Sequence, residues 1–243
     1  MGYYMLTAGP EKAKSWFLQI RDLCQQYNLP HPLILLKNPP TKYQLKKLVK
    51  LRVTDYWRQK LTDEVCGLSS LSYLTPSRCS LNSSHSIWKY AGSSPYEITK
   101  CMTVIRMITG KYPTEHTTRH WSVNKEGFCS APSCIMVEGT LSHLLIDCPS
   151  LHSTRVNLFS MWKKQSSNNP FMLSLINTVL LSPKDEIVKF ILDPGTNPSV
   201  ICLLQQKDHH VLIKHIYYLA RTYAFEMHKA KQKLNQQLSL ELF

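Results

Sequence analysis

Cys129, Cys134, His143 and Cys148 set the tightest constraint on what this chain can fold into. They fall within twenty residues at the spacing C-x4-C-x8-H-x4-C, in the stretch GFCSAPSCIMVEGTLSHLLIDCPSLH (127–152). Thiolate sulfur and imidazole nitrogen are the donors that a tetrahedral Zn2+ takes, and such a site needs two ligands from a tight turn and two from an element folded back over it. The segment from Cys129 to Cys134 contains Pro132 and presents two sulfurs. Thr140 is placed to cap a short helix, Leu141 to Asp147, that carries His143 and ends beside Cys148. Leu144 and Leu145 are expected to cover the ion with apolar surface. His152, four residues past Cys148, is a rival ligand; His143 is preferred because it precedes Cys148 within one element. The first pair is wider than C-x2-C, and the competing reading is three buried cysteines and a core histidine. With all four residues bound, no coordination position remains for water, so the metal holds a shape rather than performing hydrolysis.

The other cysteines, Cys24, Cys66, Cys79, Cys101 and Cys202, are scattered and read as small hydrophobes. No secretory signal is visible in MGYYMLTAGP, and the most apolar stretch, Phe171 to Leu181, is far short of a membrane span. The expectation is an intracellular chain, nuclear or cytoplasmic, with reduced thiols, no membrane association and no use for the Asn82-Ser83-Ser84 sequon.

Apolar periodicity near 3.6 predicts a mainly α fold: helical linker segments around a small zinc knuckle, followed by a C-terminal helical bundle. Helices are expected over 10–27, over 41–65 with Thr41 as N-cap, and over 94–110, where Ser94-Pro95-Tyr96-Glu97 is a capping-box pattern and Gly110 a stop. Others follow over 151–164, with Val156, Phe159 and Trp162 as the apolar stripe, over 169–181, from Ser182-Pro183, and from about His209 onward. The proline-punctuated 29–40 reads as extended, and the serine-rich 67–92 as an irregular connector. The expected division is a basic helical linker (1–92), the knuckle region (93–165) and a C-terminal helical region (166–243).

Lys and Arg outnumber Asp and Glu by 29 to 16, a formal charge of +13, which points to a polyanionic partner. The basic residues crowd the second expected helix, where Lys46, Lys47, Lys50 and Arg52 are candidate phosphate contacts. The alternative for such a helix is a solvated face. Tyr43, Tyr56, Trp57, Tyr112 and Trp121 are candidates for stacking on unpaired bases, although most aromatics in such helices belong to cores.

The segment RMITGKYPTEHTTRHWSVNKEGFCSAPSCIMVEGTLSHLLIDCPSLHSTR (106–155) resembles the region downstream of the polymerase core in non-LTR, LINE-like retrotransposon reverse transcriptases. There, an R-x-L-x-G-[RHK]-Y segment leads into a Cys-Cys-His-Cys cluster ending HLL-x-x-C-P-x-L. The matching positions are Arg106, Thr109-Gly110-Lys111-Tyr112 and the four ligands, with Ile108 where the pattern has leucine. Residues 15–40 and 48–61 are similar to the linker of metazoan elements of that kind; the part after about Gln165 matches less distinctly. The resemblance implies that Cys129, Cys134, His143 and Cys148 bind zinc and that Arg106, Lys111 and Arg119 lie near RNA or DNA. The polymerase palm of that family needs paired aspartates holding metal ions, and this chain has no Asp-Asp dipeptide.

Enzyme readings are weaker. Glu115 precedes His116 in EHTTRH rather than following it as a zinc hydrolase requires, and Asp208-His209-His210 lacks the further acids of a phosphoesterase. The expectation is therefore a nucleic-acid-binding module without enzymatic activity. The alternatives are a zinc-dependent protein-interaction scaffold that docks a partner through the C-terminal helix, and a non-functional remnant of a retroelement.

Overall fold

A computed structural model describes residues 16–68, 71–79, 84–121 and 126–240. The expected helix start at Pro10 and most of the Asn82 sequon lie outside these residues. Among them the fold is mainly α and contains no strand, only an isolated antiparallel bridge between Phe128 and Glu138. Two compact units meet at Gly67 and Leu68.

The first unit holds α1 (Trp16–Gln26), α2 (Pro32–Lys37) and α3 (Lys42–Gly67). α1 buries Phe17, Leu18 and Cys24, while Trp16, Ile20 and Leu23 are exposed. It ends in a Schellman motif. Asn28 takes φ +50, and the Leu29 and Asn28 N–H groups donate to the Cys24 carbonyl at 2.7 Å and the Gln25 carbonyl at 3.2 Å. The region 29–40 is not extended throughout. Pro32 sits in the first turn of α2, where a missing N–H costs nothing, and His31 Nδ1 accepts from Leu33 N at 3.3 Å. α3 begins as expected: Thr41 Oγ1 accepts from Gln44 N at 3.3 Å while Gln44 Oε1 accepts from Thr41 N at 2.9 Å, a reciprocal cap.

The second unit holds α4 (Ser86–Lys89), α5 (Pro95–Ile108), α6 (Glu115–Thr118), α7 (His152–Ser166), α8 (Pro170–Leu181), α9 (Lys184–Leu192), α10 (Pro198–Leu204) and α11 (His210–Leu240). α11 is the spine, packed against α5, α7 and α9. Its stripe Ile213, Ile216, Leu219, Tyr223 and Met227 is buried along with Trp162, Phe190 and Ile191. Trp162 Nε1 donates to the Leu219 carbonyl at 3.2 Å, which satisfies the one polar atom of that buried ring. On α7 the buried line runs through Arg155, Leu158 and Trp162; Val156 faces solvent, because residues four apart share a helix face.

The chain divides at Gly67, not near residue 92, and helices on both sides of residue 165 share one core. The connector belongs to the second unit because a buried polar network staples it there. Asp193 is 3% exposed and accepts from Tyr217 Oη at 2.9 Å and Gly195 N at 3.1 Å, with His85 Nε2 at 3.3 Å. Arg78 Nη2 donates to Ser86 Oγ at 3.0 Å and to Tyr217 Oη at 3.1 Å. Burial alone would raise the Asp193 carboxyl, but His85, Tyr217 and Arg78 outweigh it and hold it below its ordinary value of 3.8. A carboxyl depressed in the folded state contributes stability that is present above its unfolded pKa and is lost as pH falls through the lower folded value. Denaturant titrations between pH 5 and pH 2 should therefore show stability falling more steeply in the native chain than in Asp193→Asn.

Candidate metal centre

The first two ligands ride on a loop closed by backbone. Cys129 N donates to the Val137 carbonyl at 2.8 Å and Gly139 N to the Gly127 carbonyl at 2.9 Å, while Cys134 N donates to the Ala131 carbonyl at 2.9 Å. Two glycines make this loop possible. Gly127 holds φ +72, a left-handed conformation that a side chain would strain. A Cβ on Gly139 would lie 2.7 Å from Glu115 Cβ, because α6 presses directly on the loop.

The other two ligands come from the element that Thr140 caps, its Oγ1 accepting from His143 N at 3.1 Å. Over His143–Asp147 this element is a π-type turn, and Cys148 N donates to the His143 carbonyl at 2.8 Å. The wider turn has a direct consequence. Residues five apart on an α-helix point about 140° from each other, whereas a π turn brings them back onto one side. His143 and Cys148 are thereby aimed at the same point as the loop sulfurs.

All four ligand atoms lie within 4.8 Å of one another, and all four residues are buried. Cys134 Sγ is 3.4 Å from His143 Nε2 and 3.7 Å from Cys148 Sγ. This group could hold a metal ion. His152, the rival ligand, is exposed at the start of α7 and outside the group. Leu144 and Leu145, expected to cover the site, are buried, at 6% and 0% exposed. Hydrogen bonding from Cys148 brings the Cys129 thiol down to about 5 against its burial, assisted by the Ala131 N–H and the Lys231 charge. The hydrogen bond with Cys129, with burial, pushes Cys148 up; burial leads the rise at Cys134.

The surroundings are supplied by distant helices. Arg155 Nη2 donates to the Cys148 carbonyl at 2.7 Å and Arg155 Nε to the Leu145 carbonyl at 3.3 Å; Tyr223 Oη donates to the Leu145 carbonyl at 2.7 Å. Lys231 Nζ is 3.9 Å from Cys129 Sγ and 3.1 Å from Ser130 Oγ, and it pairs with Glu115. Sequence reasoning missed Arg155, Tyr223, Lys231 and Glu115. Lys231 and Glu115 lie 116 residues apart, and no local pattern joins them. Tyr223→Phe leaves the Leu145 carbonyl with a weaker set of donors and should cost about 1–2 kcal/mol in denaturant unfolding, with the metal content unchanged.

The candidate nucleic-acid contacts fall on both units. Lys46, Lys47, Lys50 and Arg52 are exposed on α3, which has no buried residue. Lys42, Lys46 and Lys50 make one row at i, i+4 spacing, whereas Arg52 lies across the helix between Leu48 and Tyr56. In the second unit Arg106 and Lys111 are exposed, and their segments meet where Lys111 N donates to the Arg106 carbonyl at 2.8 Å. Arg119 is half-buried and within hydrogen-bond reach of His120. Of the candidate stacking rings, Tyr43 and Trp121 are 74% and 87% exposed. Tyr56 packs edge-on against Tyr27 and Trp57. Tyr112 is a core residue whose hydroxyl meets His228 Nδ1 at 2.8 Å, so it is not free to stack. Asp208 and His209 lead into α11, as the sequence suggests. His116 Nδ1 lies 3.7 Å from Glu138. No helix among the described residues is long and apolar enough to cross a membrane.

No family model matches this chain, and no curated protein or solved structure is detectably similar to it.

Proposed function

We propose that the chain is a zinc-stabilised nucleic-acid-binding module descended from the C-terminal region of a non-LTR retrotransposon reverse transcriptase, without polymerase or other enzymatic activity of its own. The observation that carries the binding is α3. It is a 26-residue helix with no buried residue, bearing Lys42, Lys46, Lys47, Lys50, Arg52, Arg58 and Lys60 against Asp55, Asp63 and Glu64. A helix that buries nothing gains little from its own fold, and the density of positive charge suits a run of phosphates, which lysine and arginine contact without reading sequence. Origin rests on the resemblance over 106–155.

Zinc is the ion that the donor set favours. Zn–S and Zn–N bonds of about 2.3 and 2.0 Å in a tetrahedron put sulfurs about 3.8 Å apart and sulfur about 3.5 Å from nitrogen. The observed separations of 3.7 and 3.4 Å fit those values. Three thiolates and one imidazole around Zn2+ carry a net negative charge, and Lys231 beside Cys129 offsets it. The four protein ligands supply a structural closure, and α5, α7 and α11 supply the body that it fastens. The role assigned to this site is to hold Arg106, Lys111 and Arg119 in place near RNA or DNA.

The scaffold reading relied on an uncovered apolar stripe on the C-terminal helix. Most of that stripe, from Ile213 to Met227, is buried, while Val211 and Tyr218 toward the start of α11 and most of residues 232–240 are exposed. The nucleic-acid reading is therefore preferred. Metal analysis of the purified chain should return one zinc per chain. Fluorescence anisotropy with a labelled single strand should show affinity falling by tenfold or more between 50 and 200 mM salt. Binding that ignores salt, or none at low salt, rejects the reading.

A further inference from the structure

The α5–α11 interface carries a charge imbalance. Lys100 and Arg221 are 3% and 2% exposed, and both pair with one carboxylate, Glu97, at 2.8 and 3.1 Å. Burial would raise that carboxyl, and the hydrogen bonds from Lys100 and Arg221 hold it down instead. Two buried cations thus share a single anion. The other carboxylate on this part of α11, Glu226, is taken by Lys229 at 3.0 Å. Thr222 Oγ1 accepts from Lys100 Nζ at 3.2 Å, and the rings of Tyr96 and Tyr218 cushion it at 4.7 and 4.9 Å. These neighbours are neutral. Arg221 donates to the Tyr90 carbonyl at 3.2 Å, yet its Nε is buried with no hydrogen-bond partner. Buried charge is ordinarily matched by opposite charge, so the imbalance calls for an anion from outside.

A cleft opens at the same place. It holds about 450 Å³ and is lined by Gly92, Glu97, Val211, Lys214, His215, Tyr218 and the buried Arg221. Lys214 is exposed and Val211 is 80% exposed at the rim, and the His215 and Tyr218 rings lie nearly parallel, 19° apart. Most of the wall is apolar, and the exposed Lys214 head group is cationic. That combination suits a flat ring joined to a phosphate, and the volume is in the range of small-ligand sites.

We propose that this cleft is a subsite for one phosphate-bearing nucleotide, with the phosphate at Lys214 and the base against Val211 and Tyr218. Lys214 acts by contact and the buried Arg221 through its field. The subsite deepens the nucleic-acid reading and rests on it for the source of the nucleotide, a position in a strand rather than a free metabolite.

The test uses the full chain loaded with zinc, uridine monophosphate and a labelled ten-nucleotide uridine strand as probes, and variants at exposed positions that leave the core alone. Lys214→Glu and Val211→Glu should each weaken both probes by about tenfold. Lys163→Glu, the same charge change at an exposed position on α7, should alter them by less than about twofold. Amide resonances of 211–221 should move with uridine monophosphate. Strand binding that Lys214→Glu and Val211→Glu leave intact overturns the subsite and spares the broader function. Monophosphate binding lost in those variants, with no strand binding by the native chain, upholds the subsite and removes the broader function. Binding of neither probe removes both.

Discussion

Cys148→Ser should abolish the proposed zinc binding and lower the melting temperature by about 10 °C or more. The reasoning starts from the site's place in the molecule. A closed structural zinc contributes folding free energy directly, and the loss of one thiolate forfeits much of it. The knuckle is also not a separate appendage. Arg155 grips the carbonyls of Leu145 and Cys148 from α7, Tyr223 holds the Leu145 carbonyl from α11, and Lys231 reaches Cys129 from further along α11. A loosened π turn therefore strips partners from a buried guanidinium and a buried hydroxyl in the central core. A loss of about 4 kcal/mol corresponds to roughly 10 °C for a unit of this size. Chelation should reproduce the effect, and readdition of zinc should reverse it in the native chain but not in the variant. His152→Ala is the contrast, since that residue is exposed and outside the ligand group, and it should be silent in both metal content and melting. A Cys148→Ser chain that keeps its zinc and melts within about 2 °C of the native one would end the structural-metal reading.

Replacing Lys46, Lys47, Lys50 and Arg52 together by alanine should flatten the salt dependence of nucleic-acid binding by about three units of log affinity against log salt. Each neutralised phosphate contributes a slope of about 0.7 on single strands and 0.9 on duplex through counterion release. Affinity at low salt should fall by at least tenfold, and the decrease should shrink as salt rises. These side chains are exposed on a helix without buried residues, so the melting temperature should hardly change. Their placement allows a finer comparison. Lys46 and Lys50 share a row with Lys42, whereas Arg52 lies across the helix. If one strand tracks the lysine row, Lys46→Ala with Lys50→Ala should account for more of the slope than Arg52→Ala with Lys47→Ala. Equal partition would mean that the phosphates wrap the helix. An unchanged slope in the fourfold variant would remove α3 from the interface.

Local chemistry was readable where a few neighbouring residues decide the outcome. The caps at Thr41, Ser94 and Thr140 act over three residues, and each forms the expected side-chain bond to the helix start. The proline-rich 29–40 misled because proline is both a breaker and a first-turn residue, and only the His31 cap turns the second role on at Pro32. The expected stripe on α7 put Val156 inward, since its offset from Trp162 tolerates either side until α11 chooses one. At Ser94 the expected partner did not close the box fully. Glu97 N donates to Ser94 Oγ at 3.3 Å, but the Glu97 carboxylate is taken by Lys100 and by Arg221 from a helix more than a hundred residues away.

The sequence by itself determined the identity of the four soft donors, the mainly helical character and the concentration of cations on α3, because spacing, periodicity and charge are properties of residues close together along the chain. The tertiary structure alone decided that the metal loop is stapled to α7 and α11, that the connector before α5 belongs to the second unit through Asp193, and that two buried cations share Glu97. Most of those contacts join residues separated by 7 to 139 positions, and burial, which gives them their energetic weight, exists only once the helices have packed.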